Sequence, residues 1–559
     1  DKEQVWDTPS ESARAADDAG VTPELDGEHT VDGSKVKTAY RLFKEHVAST
    51  TPEWAADICG LSAESIRQVA EELGENARIG STIVVDGKVL PYRPAAIMGY
   101  HVTQQELGFQ ACRAAMLVSM LIGSVEAVGG TRTDYTWKDH KNYTVLDNIS
   151  IKDTPDSVYL KNSKFFPINS ALPGMVAKVM LNPEKYDFPA DKIPEMCIIH
   201  MANPLVSFLD RPTFIEAYKK FKFVAVIDVW MSETADYFAD IVLPAASIEK
   251  YEGPISASNQ YQDGQTLRLP PIDPLFESRG EIDIYLDLCE KAGLLSEYID
   301  SVNKELKLKD TANEIPNNVK PVVRDIFDRW AKEHVDAEGI AYFEKNGVQP
   351  KGAVAASKYY GYAQDPPFKA VNSSNTGAGH AWIRHRLYGE SLLRYREEMK
   401  AKGAGEIYYQ DYTALPTWRT PTMEGSPSTY DLYLISYKKI EFKQSRSTFV
   451  PLLAEMAPEQ SLDINTSAAQ ARGISDGEEV WIESHNAVTG ETRKVKARAR
   501  YIEGLRPDTV AMSHHYGMWV HPWADGHGPT PNELFFTGEG YVTNTNDQSF
   551  HVKVRVYKE

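Results

Sequence analysis

The chain has 559 residues, more than one hydrophobic core accommodates, so roughly three or four domains are expected. Its 42% hydrophobic and 25% charged residues are those of a globular protein, and a net charge of −19 with scattered Lys and Arg excludes the basic stripe of a nucleic-acid surface. No apolar run is long enough to cross a bilayer; the best candidate, ACRAAMLVSMLIGSVEAVGG, contains Arg113 and Glu126 and reads as a buried helix.

The opening DKEQVWDTPSESARAADDAG has no initiator Met, no basic n-region and no apolar h-region, so a processed, split or partial chain is expected. Residues 1–38 are polar and read as a surface strap. Two helices are expected over 39–75: PEWAADICG, stopped by Gly60, and SAESIRQVAEEL, capped by Ser62. The β-branched IGSTIVVDG reads as a strand. A long helix follows over about 103–122 and ends in the Gly129-Gly130 turn.

EMCIIHMANP reads as a strand ending at Asn203-Pro204, RPTFIEAYKKF as a helix and KFVAVIDVW as the next strand. That order implies a doubly wound parallel sheet. Residues 250–290 read as loop-rich with a terminal helix, EIDIYLDLCEKAGL, and 291–425 as helices with long connections. From Tyr430 the pattern changes to short strands, YDLYLIS, EEVWIES, RKVKARARYI, TVAMSHHY and HVKVRVYKE, which imply a β-barrel-like C-terminal domain. The expected fold is therefore α/β, with parallel-sheet domains followed by that barrel. Its boundaries fall at 1–160, 161–250, 251–429 and 430–559.

The cysteines, Cys59, Cys112, Cys197 and Cys289, form no CxxC pair and read as buried free thiols. No GxGxxG or GxxxxGK[ST] stands at a strand–helix junction, which argues against a nicotinamide dehydrogenase or a P-loop enzyme. In open parallel sheets ligands bind beyond the carboxyl ends of strands. Two strands here end in polar loops. Asn203 offers an amide, and Asp228 can accept two parallel N–H bonds of the kind a guanine edge presents. Thr234 and the first amides of the following helix can hold a phosphate. The bland alternative is that these residues are helix caps, their commonest role. SHHYGMWVHPWADGHGPTP gathers His514, His515, His521 and His527; aromatic packing and hydrogen bonding to a large ligand or neighbouring domain is preferred there over a metal site. PYRPAAIMGYHVTQQELG places Arg93 and His101 between a strand and a buried helix, where Arg93 either meets an anion or a carboxylate of a ligand or forms an internal ion pair.

DVWMSETADYFADIVLPAA, followed by EKYEGPISASNQYQDGQTLRLPPIDPLFESRGEIDIY, resembles the molybdopterin oxidoreductases of the dimethyl-sulfoxide-reductase type. QACRAAMLVSMLIGSVEAVGG is similar to that family's helix and glycine turn, and SLDINTSAAQARGISDGEEVWIES with RARYIEGLRPDTVAMSHHYG to its dinucleotide-binding domain. The likeness is interrupted at about 300–425. It implies molybdenum or tungsten held by two pyranopterin guanine dinucleotides. It implies that Asp228 holds a guanine, that Asn203 lies on the loop beside it, and that Ser232, Glu233 and Thr234 flank its phosphates. Ser436, Tyr437 and Lys438 match the loop after the first barrel strand, and Gln444, Arg446 and Thr448 the next loop. Asn532 and Asp547 stand near the other dinucleotide. QSRST lacks the His-Trp pair of some branches.

The family's leading domain, which usually carries a cysteine-bound 4Fe-4S cluster, and its metal-ligand segment are not recognisable here. The chain resembles the C-terminal two-thirds of a catalytic subunit, and no metal ligand is named. SHHYGMW and the PYRP loop look most like the branch of polysulfide, thiosulfate, tetrathionate and arsenate reductases. The resemblance implies two-electron oxo- or sulfur-transfer or dehydrogenation chemistry in anaerobic respiration, with Arg93 and His101 in the substrate funnel. It also implies an iron–sulfur electron-transfer partner, a membrane-anchor subunit, a small-molecule substrate and a periplasmic location, the cytoplasm being the alternative. A formate-dehydrogenase or hydratase type, or a non-catalytic subunit that keeps the fold, stays open.

Overall fold

The computed structural model describes residues 4–15, 18–97, 102–131, 158–168, 172–256, 263–309, 312–352, 360–363, 389–444, 448 and 450–558. Contacts divide the chain into two units, one of residues 1–102, 110–138 and 354–418, the other of 103–109, 139–353 and 419–559.

The first unit begins with two antiparallel hairpins, β1 (Gln4–Asp7) with β2 (Ser12–Ala15) and β3 (Glu28–Val31) with β4 (Ser34–Lys37). Three helices follow where two were expected. The additional one is α1 (Ala39–Val47), started by the Thr38 side chain, which accepts from the Arg41 amide. In α2 (Pro52–Cys59) Thr51 caps the start, and Gly60, at φ 69°, ends the helix in the left-handed region. Ser62 caps α3 (Ala63–Asn76) by accepting from the Ser65 amide, as its sequence implies. The IGSTIVVDG strand is half of a hairpin, β5 (Thr82–Val85) with β6 (Lys88–Pro91). Helix α4 (Gly108–Leu121) is shorter than expected at its start. Its Arg113 donates to the Thr413 and Ala414 carbonyls, at 3.0 and 2.7 Å, which explains a charge in an apolar helix.

In the second unit α5 (Val176–Leu181) precedes a three-stranded parallel sheet. Its strands are β7 (Met196–His200), β8 (Phe223–Asp228) and β9 (Ile241–Pro244). The connections carry α6 (Pro204–Ser207), α7 (Arg211–Tyr218) and α8 (Glu233–Phe238). Central β8 is a continuous apolar run, as a strand covered on both faces requires. One face packs Ile199, Val224 and Val226 against Ala235 and Phe238; Ile227 meets Ile284 on the other. The segment read as loop-rich contains β10 (Glu252–Ser256) and β11 (Asp263–Arg268), which join β12 (Val348–Gly352) in an antiparallel sheet. Helices α9 (Glu281–Ala292), α10 (Leu295–Glu305), α11 (Val323–His334) and α12 (Ile340–Asn346) share a core around Ile299, Phe327 and Trp330.

The C-terminal portion is a closed six-stranded barrel in the order β13-β17-β14-β16-β15-β18. The strands are β13 (Leu432–Tyr437), β14 (Ser461–Ile464), β15 (Glu479–His485), β16 (Thr492–Tyr501), β17 (Thr509–Ser513) and β18 (His551–Tyr557). The four-residue β14 was not foreseen. Strand alternation turns Leu434, Leu462, Ile464, Ile482, Val510, Met512, Val552 and Val554 inward, each at most 1% exposed, and closure leaves no edge. No disulfide joins the four cysteines among the described residues, and each is half-buried rather than buried.

Candidate functional site

The two polar strand ends are brought together. Asn203 begins α6, yet its side chain does not cap that helix. Its Nδ2 donates to Glu233 at 2.7 Å, while its Oδ1 accepts from the Thr234 amide at 3.2 Å and the Thr234 hydroxyl at 2.8 Å. The Leu205 amide donates to the Thr234 hydroxyl at 3.0 Å, and Ser232 accepts from the Ala235 amide at 3.2 Å, capping α8. Ser232, Glu233 and Thr234 are at most 1% exposed and Asn203 is 7% exposed. Two of the first α8 amides, expected against a phosphate, are thus bonded to protein side chains. Ser232 fills the bland cap role, whereas Asn203, Glu233 and Thr234 lock one strand-end loop to the other. Asp228 differs: it ends β8 half-buried, its Oδ1 accepting from the Val229 amide at 2.7 Å.

Glu233 also reaches the barrel. Its other oxygen accepts from the Trp519 and Val520 amides at 3.1 and 3.3 Å. Beside it, Asn532 donates to the Val206 carbonyl at 2.7 Å, and Arg211 donates to Glu533 at 2.9 Å with its guanidinium 4.8 Å from the Trp519 ring. Asp210, in the left-handed region at φ 58° and 1% exposed, accepts from Arg493 at 2.7 Å and from the Thr537 hydroxyl at 2.7 Å, with Lys178 at 3.0 Å. Burial pushes its carboxyl up, but Arg493 and Lys178 outweigh that and hold it below the usual range.

The carboxyl ends of β13 and β17 lie side by side, with Tyr437 opposite Ser513. Ser436 is 3.2 Å from a His514 ring nitrogen, and the Tyr437 hydroxyl accepts from Arg500 at 3.1 Å. Lys438 is exposed, while Lys439 donates to the Tyr516 hydroxyl at 2.7 Å. His514 and His515 stack at 4.4 Å, and His515 lies 5.3 Å from Phe442. Burial lowers His514 to about 4 and His515 to about 3, with Lys438 adding to the effect on both. Both imidazoles are therefore neutral at physiological pH. The His514 Nε2, both His515 ring nitrogens, the Ser513 hydroxyl and the Asn532 and Asn546 carbonyl oxygens are buried without a partner among the described residues. Such atoms are uncommon in folded proteins, which pair buried polar groups with protein, water or a ligand. Gly517, at φ 88°, lets this segment approach the Thr530 backbone; a Cβ there would lie 2.8 Å from the Thr530 nitrogen.

The remaining positions are less convergent. Thr448 donates to the Met518 sulfur, Gln444 is exposed at φ 55°, and Asp547 is half-buried with its carboxylate on the Gln548 amide at 2.8 Å. Arg93 belongs to the first unit. One of its terminal nitrogens donates to the Ser81 and Tyr92 carbonyls at 2.9 and 2.8 Å, so among the described residues its partners are backbone carbonyls and not the expected ion pair. His101 and Arg446 lie outside the described residues. Among the described residues no group of three or more His, Cys, Asp and Glu is placed to hold a metal. Sequence reasoning missed the Trp519–Glu233 junction and Lys439. The only signal for the latter was the adjacent Lys438-Lys439 pair at a strand end.

Comparison with known proteins gives this geometry a family. Residues 11–291 match the family described as Molybdopterin oxidoreductase, and residues 432–547 the Molydopterin dinucleotide binding domain. Dimethyl sulfoxide/trimethylamine N-oxide reductase of Cereibacter sphaeroides is 24% identical over 89% of this chain and 56% of its own length. Thiosulfate reductase molybdopterin-containing subunit PhsA of Salmonella typhimurium is 23% identical over 86% of this chain and 58% of its own. The chain thus spans less than three-fifths of the length of these curated relatives. Acetylene hydratase from Pelobacter acetylenicus has the same fold, with a TM-score of 0.59, 14% identity, and coverage of 93% of this chain and 66% of that one. With residues 432–547 matching the dinucleotide-binding domain and residues 11–291 the oxidoreductase model, the chain belongs to the molybdopterin oxidoreductases.

Proposed function

We propose that this chain is the catalytic subunit, or a large part of one, of an enzyme that holds molybdenum or tungsten through two molybdopterin guanine dinucleotides. The observation that carries the reading is the end of the barrel where β13 and β17 finish. The neutral buried imidazoles of His514 and His515 lie there beside Lys438 and Lys439, with the His514 Nε2, the His515 ring nitrogens and the Ser513 hydroxyl without a partner among the described residues. That set fits a pterin nucleotide: neutral ring nitrogens and a hydroxyl suit an uncharged heterocycle, and lysines suit phosphates.

When bound, the metal complex supplies two-electron exchange with transfer of oxygen, sulfur or a hydrogen equivalent. The protein's share is binding, orientation and electrostatics. Lys438 offsets phosphate charge, which a chain of net charge −19 must do locally. Asp228 accepts from a guanine edge. Asn203, Glu233 and Thr234 are read as fixing the loop that presents Asp228, through their bonds to one another. Ser436, Tyr437, Gln444, Arg446, Thr448, Asn532 and Asp547 are read as lining the dinucleotides directly or through their loops. Arg93 and His101 are assigned to the substrate funnel, where a cation and a proton donor polarise a departing atom.

The likeness to a thiosulfate reductase molybdopterin-containing subunit favours sulfur or oxo transfer; a 4Fe-4S cluster in a preceding segment or a partner chain, an iron–sulfur electron-transfer subunit, a membrane-anchor subunit and a periplasmic site of action complete the reading. Viologen-linked assays on thiosulfate, polysulfide, tetrathionate, arsenate and N-oxides test this. Turnover on one sulfur or oxo acceptor is expected. A metal-loaded protein that exchanges electrons with none of them contradicts the reading and favours a non-catalytic carrier.

A further inference from the structure

The loop between β11 and α9 is exposed over seven consecutive residues, 271–277. Its side chains are not those of a solvated loop. Ile272 is 51% exposed, Leu275 is 48% exposed, and the Phe276 ring stands wholly in water. Phe276 also has a φ of 56°, in the left-handed region where a bulky side chain is strained. Strained backbone and an unburied aromatic ring are both unfavourable in the chain by itself, and such strain gathers at ligand clamps.

The loop is nonetheless held. The Ser278 amide and hydroxyl both donate to the Leu275 carbonyl, at 3.1 and 2.6 Å, closing the turn that carries Phe276. The Arg279 amide donates to the Pro244 carbonyl at 3.1 Å, which ties the loop's end to β9. The Arg279 side chain donates to Asp287 on α9 at 2.6 Å. Lys320 donates to the other oxygen of Asp287 at 2.8 Å and to Glu290 at 2.7 Å. Asp287 thus pins two segments to one side of α9, and the second carries Val319 and Val322, 60 and 64% exposed. Isolated exposed apolar residues need no explanation, but five of them on two segments fixed to one helix form a patch of the kind that marks an interaction surface. Held in place beforehand, they lose little freedom on binding.

Charge selects the occupant. Arg279, Lys320, Asp287 and Glu290 balance one another, whereas Asp273 and Glu277, on either side of Leu275 and Phe276, make no ion pair among the described residues. The tip therefore carries two uncompensated negative charges. A membrane surface, itself negative, attracts basic segments rather than this one. A second copy of the chain meeting this face across a two-fold axis would bring four carboxylates together. A different protein, with an apolar groove edged by Lys or Arg, satisfies both the apolar side chains and the charges.

We propose that residues 272–277, with Phe276 as the anchor, dock such a protein. The proposal goes beyond the cofactor reading and does not depend on it.

The test makes the photo-cross-linking change Phe276→p-benzoylphenylalanine in the protein as its own cells produce it, irradiates before lysis and maps the linked peptides by mass spectrometry. A cross-link to one other protein is expected, within an apolar segment flanked by Lys or Arg. Adding Asp273→Lys with Glu277→Lys should lower its yield about tenfold or more. A cross-link to a second copy of the chain, to lipid or only within its own polypeptide overturns the proposal. So does a link to a segment without flanking Lys or Arg, a yield that charge reversal leaves unchanged, or no link at all. Purified Phe276→Ser should keep the wild-type denaturant midpoint, because a ring wholly in water packs nothing; a lowered midpoint makes Phe276 part of the fold and likewise overturns the proposal.

Discussion

Glu233 and Trp519 are bonded across 286 residues of sequence, the carboxylate accepting from the Trp519 amide at 3.1 Å. The other carboxylate oxygen receives the Asn203 side chain at 2.7 Å. One fully buried carboxylate therefore joins two strand-end loops of the parallel sheet to the segment leaving barrel strand β17. Buried charges persist only where several hydrogen bonds replace water, and Glu233 has at least three donors.

Glu233→Ala is expected to leave the Asn203 amide and two backbone amides without an acceptor, lowering stability by about 2–4 kcal/mol. Glu233→Gln keeps the shape and loses less. Denaturant midpoints of the two variants, read with their cofactor content, check this; an unchanged midpoint in Glu233→Ala would show that the junction stabilises nothing.

The Asp210–Arg493 pair joins the same modules a second time. Removing one partner of a buried pair costs about 3–5 kcal/mol where the other charge is left alone, and without Arg493 the Asp210 carboxylate keeps only Lys178 as a cation, at 3.0 Å. Arg493→Ala should accordingly destabilise strongly, and the double change Arg493→Met with Asp210→Asn should recover much of the loss. A double-mutant cycle by thermal melting measures the coupling; additive effects would remove Asp210 from this role.

Much of the fold was legible because its elements carry local signals. The capping of α3 by Ser62, the stop at Gly60, the continuous apolar run of β8 and the alternation in β16 are each written within a few residues. Strand β14 was not legible: SLDI is four residues long and too short for a period to show. Helix α1 was missed because it is only nine residues long and has no acidic residue in its first turn to mark the start, although Thr38 supplies its cap. In the site, residue types marked the positions but not the bonds. Asn, Ser and Thr at a strand end are equally caps, ligand contacts and loop locks, and the choice among these depends on Trp519, Val520 and Val206, far away in sequence.

The His514–His515 stack gives a pH signature. Both imidazoles are held below the ordinary value of 6.5, at about 4 and about 3, chiefly by burial. Between that ordinary value and those folded values the unfolded chain binds more protons than the folded one, so stability falls as pH drops through this window. Replacing His515 with Gln should flatten the melting temperature between pH 7 and pH 5 relative to wild type. An unaltered pH profile would place the acid sensitivity elsewhere.

Arg93 donates to backbone carbonyls of its own loop. If it also serves the substrate funnel, Arg93→Ala lowers turnover while metal and nucleotide content stay unchanged. Loss of cofactor in that variant would instead make Arg93 a support of the fold.

The most direct test is stoichiometric. Plasma mass spectrometry of the purified protein, paired with chromatography of the nucleotide released by acid, measures metal and guanine on the same sample. About one molybdenum or tungsten per chain with about two guanine nucleotides per metal is expected, and both should fall together in Asp228→Ala. A folded protein containing neither, or metal without guanine, would contradict a dinucleotide gripped between the sheet ends and the barrel.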